Sequence, residues 1–112
     1  MYYLEVYAAV SSKYPEGEFF EPEQLRSVED HGGEEMYIAT IELGYGHLRF
    51  ARMNTSLLNS IGFEYIDLDN DSIVDGFLYW WDASGYEHGY FDYENTSSNY
   101  PFNKMTDSIY IR

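Results

Sequence analysis

VDGFLYWWDASGYEHGYFDY, residues 74–93, decides the fold. Phe77, Tyr79 and Trp81 point one way from an extended chain, and Leu78 and Trp80 point the other. Ala83-Ser84-Gly85 is a tight turn. Beyond it Tyr86, His88 and Tyr90 oppose Phe91 and Tyr93, again with a period of two. Two aromatic-rich strands joined by a short turn predict an antiparallel sheet.

Working outward, Phe63–Leu68 and Lys104–Ile111 read as further strands. Glu35–Leu43 alternates Met36, Ile38 and Thr40 against Tyr37, Ala39 and Ile41. Gly44-Tyr45-Gly46 then turns it into His47–Met53 as a hairpin. Tyr2–Val10 is a half-buried strand with Leu4, Val6, Ala8 and Val10 on its apolar side. The polar stretch 95–103, with Pro101, reads as a loop. Two segments carry helix signals. Glu21–Asp30 has Pro22 in its first turn, acids around it and Gly32-Gly33 beyond its end. Ser56–Ile61 has Thr55 as a cap and Gly62 after it. The expectation is a single α+β domain, 1–112, with an antiparallel sheet of about six strands and one or two short helices.

The chain has 112 residues, 20% of them aromatic, and a formal charge of −14 from 20 acids and 6 bases. So many rings argue against disorder. The absence of cysteine excludes disulfides, thiolate zinc sites and thiol catalysis. MYYLEVYAAV lacks a basic leader, and no apolar run approaches the ~20 residues of a membrane span. The expected location is the cytoplasm, without membrane contact.

Charge is segregated. Residues 53–103 hold no lysine or arginine but carry Glu64, Asp67, Asp69, Asp71, Asp75, Asp82, Glu87, Asp92 and Glu94. A solubility surface mixes the signs. Within this span DLDNDSIVDG, residues 67–76, sets Asp67, Asp69, Asp71 and Asp75 at positions 1, 3, 5 and 9 of a loop, with the Ile73 carbonyl at position 7. That spacing resembles the aspartate-rich calcium loops of EF-hand, dockerin and thrombospondin type 3 repeats, and it implies calcium as the one possible cofactor. Ser72 stands where those loops use glycine, and Leu78 where they use a bidentate glutamate. Asp69-Asn70-Asp71-Ser72 also has the composition of a turn that bonds its own backbone.

Acids two apart on a strand lie about 6–7 Å apart, on the scale of phosphates along a nucleic-acid strand. Interleaved rings supply anchors for a protein interface. Small, acidic, cysteine-free, aromatic-rich chains of this size resemble phage anti-CRISPR and anti-restriction proteins, and toxin-immunity proteins. The resemblance implies a non-enzymatic inhibitor that fills the cationic surface of a nuclease or other nucleic-acid-binding effector, without itself binding nucleic acid. The expected contact residues are Asp67, Asp69, Asp71, Asp75, Asp82, Glu87 and Asp92 for charge, with Tyr79, Trp81, Tyr86 and Tyr90 as anchors. The alternative is a calcium-binding β module, with a sugar stacked on nearby rings. No catalytic motif is present, and His31, His47 and His88 share no ligand spacing.

Overall fold

The computed structural model describes residues 3–32, 34–98 and 102–112. Among these described residues there are nine strands: β1 (Tyr3–Ser11), β2 (Glu18–Phe19), β3 (Met36–Leu43), β4 (Phe50–Met53), β5 (Ser56–Leu57), β6 (Asn59–Ile66), β7 (Gly76–Asp82), β8 (Gly89–Thr96) and β9 (Lys104–Ile111). They form two antiparallel sheets, one ordered β2-β1-β3-β7-β6 and the other β5-β4-β8-β9. The molecule is all-β. No helix occurs among the described residues, which overturns the α+β expectation.

Each predicted helix fails for a local reason. In 21–30 the Glu18 carboxylate captures the N–H groups of Val28 and Glu29, at 2.8 and 3.2 Å. The segment is also drawn out beside β9, where Ser27 N–H donates to the Tyr110 carbonyl and Tyr110 N–H to that of Leu25. Helical N–H groups would have turned inward instead. In 56–61 Thr55 is no cap. Asn54 and Thr55 both have positive φ, 51° and 72°, and Met53 pairs with Ser56. That is a two-residue type I′ hairpin turn, and it sends 59–66 into an eight-residue strand.

Two expected strand neighbours are also separated. The Gly44–Gly46 turn does not close a hairpin; it carries the chain from β3 in the first sheet to β4 in the second. The 83–85 turn likewise carries it from β7 to β8. Both are arches between layers, so the rings of β7 and β8 meet across the core instead of side by side. Trp81 lies 5.6 Å from Tyr93 between ring centroids. Met36, Ile38, Met53, Phe91, Ile109 and Ile111 share this core and are fully buried, as is Tyr93. In β1 an irregularity between Val6 and Ala8 reverses the alternation. Ala9, paired with the core residue Ile38, continues the inner face in place of the expected Ala8 and Val10. Of the polar stretch expected to be a loop, 95–96 belong to β8 and 99–101 lie outside the described residues.

Candidate functional site

The inner face of the first sheet runs further than the second sheet covers. On β7, Trp81 is core, and its indole N–H donates to Thr40 Oγ1 at 2.8 Å. Tyr79 and Phe77, two and four residues earlier, share that face and are half-buried. Opposite them on β6 stand Phe63, paired with Tyr79, and Tyr65, paired with Phe77. Phe63 and Tyr65 are 50% and 65% exposed. The rings of Phe63 and Tyr79 stack at 5.4 Å, and those of Tyr65 and Phe77 lie 5.7 Å apart. Tyr45, from the β3–β4 arch, closes on Phe77 at 6.1 Å. The result is a shelf of five rings, continuous with the core at Trp81 and open to solvent at β6.

Arg49 clamps the shelf. Its guanidinium lies 4.7 Å from the Tyr79 ring centre and 5.4 Å from that of Phe77. Its Nε and Nη2 each donate to the Glu42 carboxylate at 3.0 Å. Glu42 is 1% exposed and also accepts from the Tyr93 hydroxyl at 2.7 Å and Asn95 Nδ2 at 2.6 Å. Four donors satisfy the buried charge. Burial and the neighbouring Glu42 charge push the Tyr93 hydroxyl far above its ordinary value, so it remains a donor.

The aspartate loop adjoins this shelf, because it connects β6 to β7. Asp75 N–H donates to Ile66, and the Tyr45 hydroxyl donates to the Val74 carbonyl. At Gly76 a side chain is impossible: a Cβ would sit 2.0 Å from the Glu42 carbonyl oxygen, so glycine lets β7 start hard against β3. One carboxylate oxygen from each of Asp67, Asp69, Asp71 and Asp75 lies within 4.8 Å of the others. Oxygens bound about 2.4 Å from one calcium ion would be at most about 4.8 Å apart. The carboxylates also build the loop. Asp67 accepts the N–H groups of Asp71 and Ser72, Asp71 that of Ile73, and Asp75 that of Leu68. Asn70 and Ser72 take positive φ to allow this. Slight desolvation works to raise the Asp67 carboxyl, but the Ser72 and Asp71 N–H groups hold it below its ordinary value. Asp69 is raised, first by its hydrogen bond with Asp71, then by desolvation and the Asp75 charge. Four acids crowded together favour a proton or a cation among them.

The eleven residues expected at one contact surface occupy four places. The loop aspartates sit together before the start of β7, and Tyr79 lies further along that strand on the shelf. Trp81 is in the core. Asp82 lies at the far end of β7, roughly 23 Å from Asp75 at ~3.3 Å per residue, and its carboxylate accepts the Ser84 N–H to close the second arch. Tyr86 packs against the core there, and Glu87 is exposed close by in sequence. Tyr90 and Asp92 lie on the outer face of the second sheet, beside a cleft of about 300 Å³. Asp92 and Glu94 both meet Arg52, at 3.4 and 2.6 Å, so their charge is partly neutralised. Sequence reasoning missed Phe63, Tyr65, Tyr45 and the Glu42–Arg49 pair. The alternation Ile61, Phe63, Tyr65 carried the signal for β6, but the helix reading of 56–61 truncated it.

One buried set resembles catalytic machinery. Ser11 Oγ lies 2.9 Å from His31 Nδ1, and His31 Nε2 lies 2.8 Å from Glu18 Oε1. The partners assign the tautomer: Nε2–H donates to Glu18, and the Ser11 hydroxyl donates to Nδ1. Ser11 Oγ also accepts the Tyr14 N–H. Ser11 and His31 are 2% and 0% exposed, so no substrate reaches them. The set ties the 25–31 segment to β1 and β2. His47 and His88 are exposed.

Residues 1–111 match the family described as "Domain of unknown function (DUF4879)". The chain belongs to this family. No curated protein matches it. The family description assigns no chemistry, so the functional reading rests on the shelf and the loop. Among the described residues no helix is long and apolar enough to cross a membrane.

Proposed function

We propose that the chain is a non-enzymatic acidic module that docks through its β6–β7 hairpin onto a cationic surface of a partner protein. The partner class is a nuclease or other nucleic-acid-binding effector, and docking inhibits it by occupying the surface that receives phosphates. One observation carries the reading: an exposed shelf of rings adjoins four clustered aspartates, in a span from 53 to 103 that has no lysine or arginine. The charge steers encounter and the rings anchor the complex. The surface is narrower than the sequence implied. It comprises Tyr45, Phe63, Tyr65, Phe77 and Tyr79 with Asp67, Asp69, Asp71 and Asp75, while Asp82, Glu87, Asp92, Trp81, Tyr86 and Tyr90 lie outside it. Affinity capture from the source cells supplies the partner. The double reversal Asp69→Lys with Asp71→Lys then slows association with that partner and flattens its salt dependence, with the fold intact. Unchanged inhibition by the reversed protein removes the proposal.

A second reading is favoured by the mutual spacing of the four carboxylates, which suits calcium. In it the loop holds the ion, and the ring shelf stacks on a sugar. It ranks second because three of the four aspartates already satisfy the loop's own N–H groups. Calorimetric titration with calcium separates the two. Micromolar binding that is lost in Asp67→Ala supports the metal, and the absence of heat leaves the loop as a contact.

A further inference from the structure

The two sheets have four edges, and three are guarded. β2 and β5 are two residues long. Along β9, residues 25–27 bond to Tyr110 at one end and Lys104 stands at the other. Short strands, a covering segment and edge lysines are the usual protections against unwanted pairing. β6 has eight residues, and among the described residues its strand partner is β7 alone. Residues 59–65 are exposed, and the strand contains neither proline nor a basic residue. An irregularity between Ser60 and Gly62 leaves 62–66 as a regular open edge.

We infer that this edge is a strand-addition site, and that its occupant is a basic extended segment of a partner protein. The inference rests on the docking reading and specifies how the partner is held. An added strand would satisfy the outward N–H and C=O groups of 62–66 and extend the first sheet. Its side chains would alternate. Those beside Phe63 and Tyr65 extend the ring shelf, which favours apolar residues. Those on the other face meet Glu64, and the strand's end meets the aspartate loop, which favours lysine or arginine. A second copy of the chain is the poorer occupant, because each copy carries −14 and neither offers a cation from residues 53–103.

The probe is a synthetic octapeptide alternating lysine and valine, compared with the same peptide N-methylated at every backbone amide. Both carry the same charge, but only the first can pair along the edge. The readouts are binding at low salt and hydrogen exchange of individual backbone amides. The expected result is protection of alternate amides within 62–66 by the unmodified peptide, and binding weaker by roughly tenfold or more after methylation. Equal binding of both peptides without protection overturns strand addition while leaving charge-driven docking in place. Failure of both peptides to bind overturns the strand site and the cationic-partner reading together. Protection that grows with protein concentration before peptide is added assigns the edge to a second copy and overturns the basic occupant.

Discussion

Replacing Arg49 with methionine tests whether the clamp beneath the ring shelf is an energetic element of the fold. Methionine keeps most of the apolar stem and removes the charge. Glu42, 1% exposed, then loses two of its four donors and, among the described residues, its only counter-charge within bonding distance. Breaking a buried ion pair from one side costs about 3–5 kcal/mol. Two features favour the lower end: Tyr93 and Asn95 still donate to Glu42, and Arg49 is 20% exposed, so water can enter the gap. Loss of the guanidinium over Tyr79 adds roughly 0.5–1 kcal/mol. The expected loss is therefore about 3–4 kcal/mol, a large part of the ~5–15 kcal/mol that holds a domain together. Urea unfolding at pH 7, followed by tryptophan fluorescence, gives the value from the midpoint at constant slope. Adding Glu42→Gln removes the orphaned charge, and the double variant regains roughly 2 kcal/mol over Arg49→Met alone. A loss below about 1 kcal/mol, or strictly additive substitutions, refutes a buried and mutually dependent pair.

Other outcomes follow from the same contacts. Burial would raise the Glu18 carboxyl, but bonds from Val28, His31 and Glu29 hold it below its ordinary 4.5. Its contribution is therefore full above about pH 4.5 and fades as the pH falls through the lower folded value; Glu18→Gln should cost roughly 2 kcal/mol at pH 7 and flatten the acid limb in a pH series of urea melts. Glu5 behaves in the opposite sense, because burial, more than the opposing Tyr3 bond can offset, raises its carboxyl above 4.5. Stability falls as pH rises from about 4.5 through that folded value, so Glu5→Gln should be the more stable protein at pH 7 and indistinguishable at pH 3. Thr55 is β-branched at a φ of 72°; Thr55→Gly should gain about 0.5–1 kcal/mol and raise the melting temperature by a few degrees. Thr40→Val strands the buried Trp81 N–H and should cost about 1–3 kcal/mol in the same assay.

Period-two alternation made β1, β3, β4, β7, β8 and β9 legible, since a half-buried strand writes its faces directly into residue order. The opposed faces of Phe77–Trp81 and of Tyr90–Tyr93 follow the pattern read from sequence. What alternation cannot encode is which sheet a strand joins. Gly44–Gly46 and 83–85 have the composition of hairpin turns, yet both cross between layers, so that the apolar faces on either side pack against one another in one core. The 21–30 helix signal was local and genuine in composition. A carboxylate from outside the segment overrode it by binding the N–H groups of Val28 and Glu29. In the site, the aspartate loop was visible because its ligand-like spacing is contiguous. The shelf was not, because Tyr45, Phe63 and Tyr79 converge only once three strands and an arch are in place. Trp81 looked like an anchor for the same reason it is core: a large ring on an alternating strand satisfies either role until its opposite sheet is known.

The central claim is that the exposed rings and the aspartate loop form one contact surface. Hydroxyl-radical footprinting of the chain, free and bound to the partner recovered by affinity capture, tests it most directly. The account predicts loss of labelling at Phe63, Tyr65 and Phe77 and across 67–75 on binding, with Tyr90 on the outer face of the second sheet labelled as before. Protection centred on Tyr90 and its neighbours, with the β6–β7 hairpin still fully labelled in the complex, would contradict it.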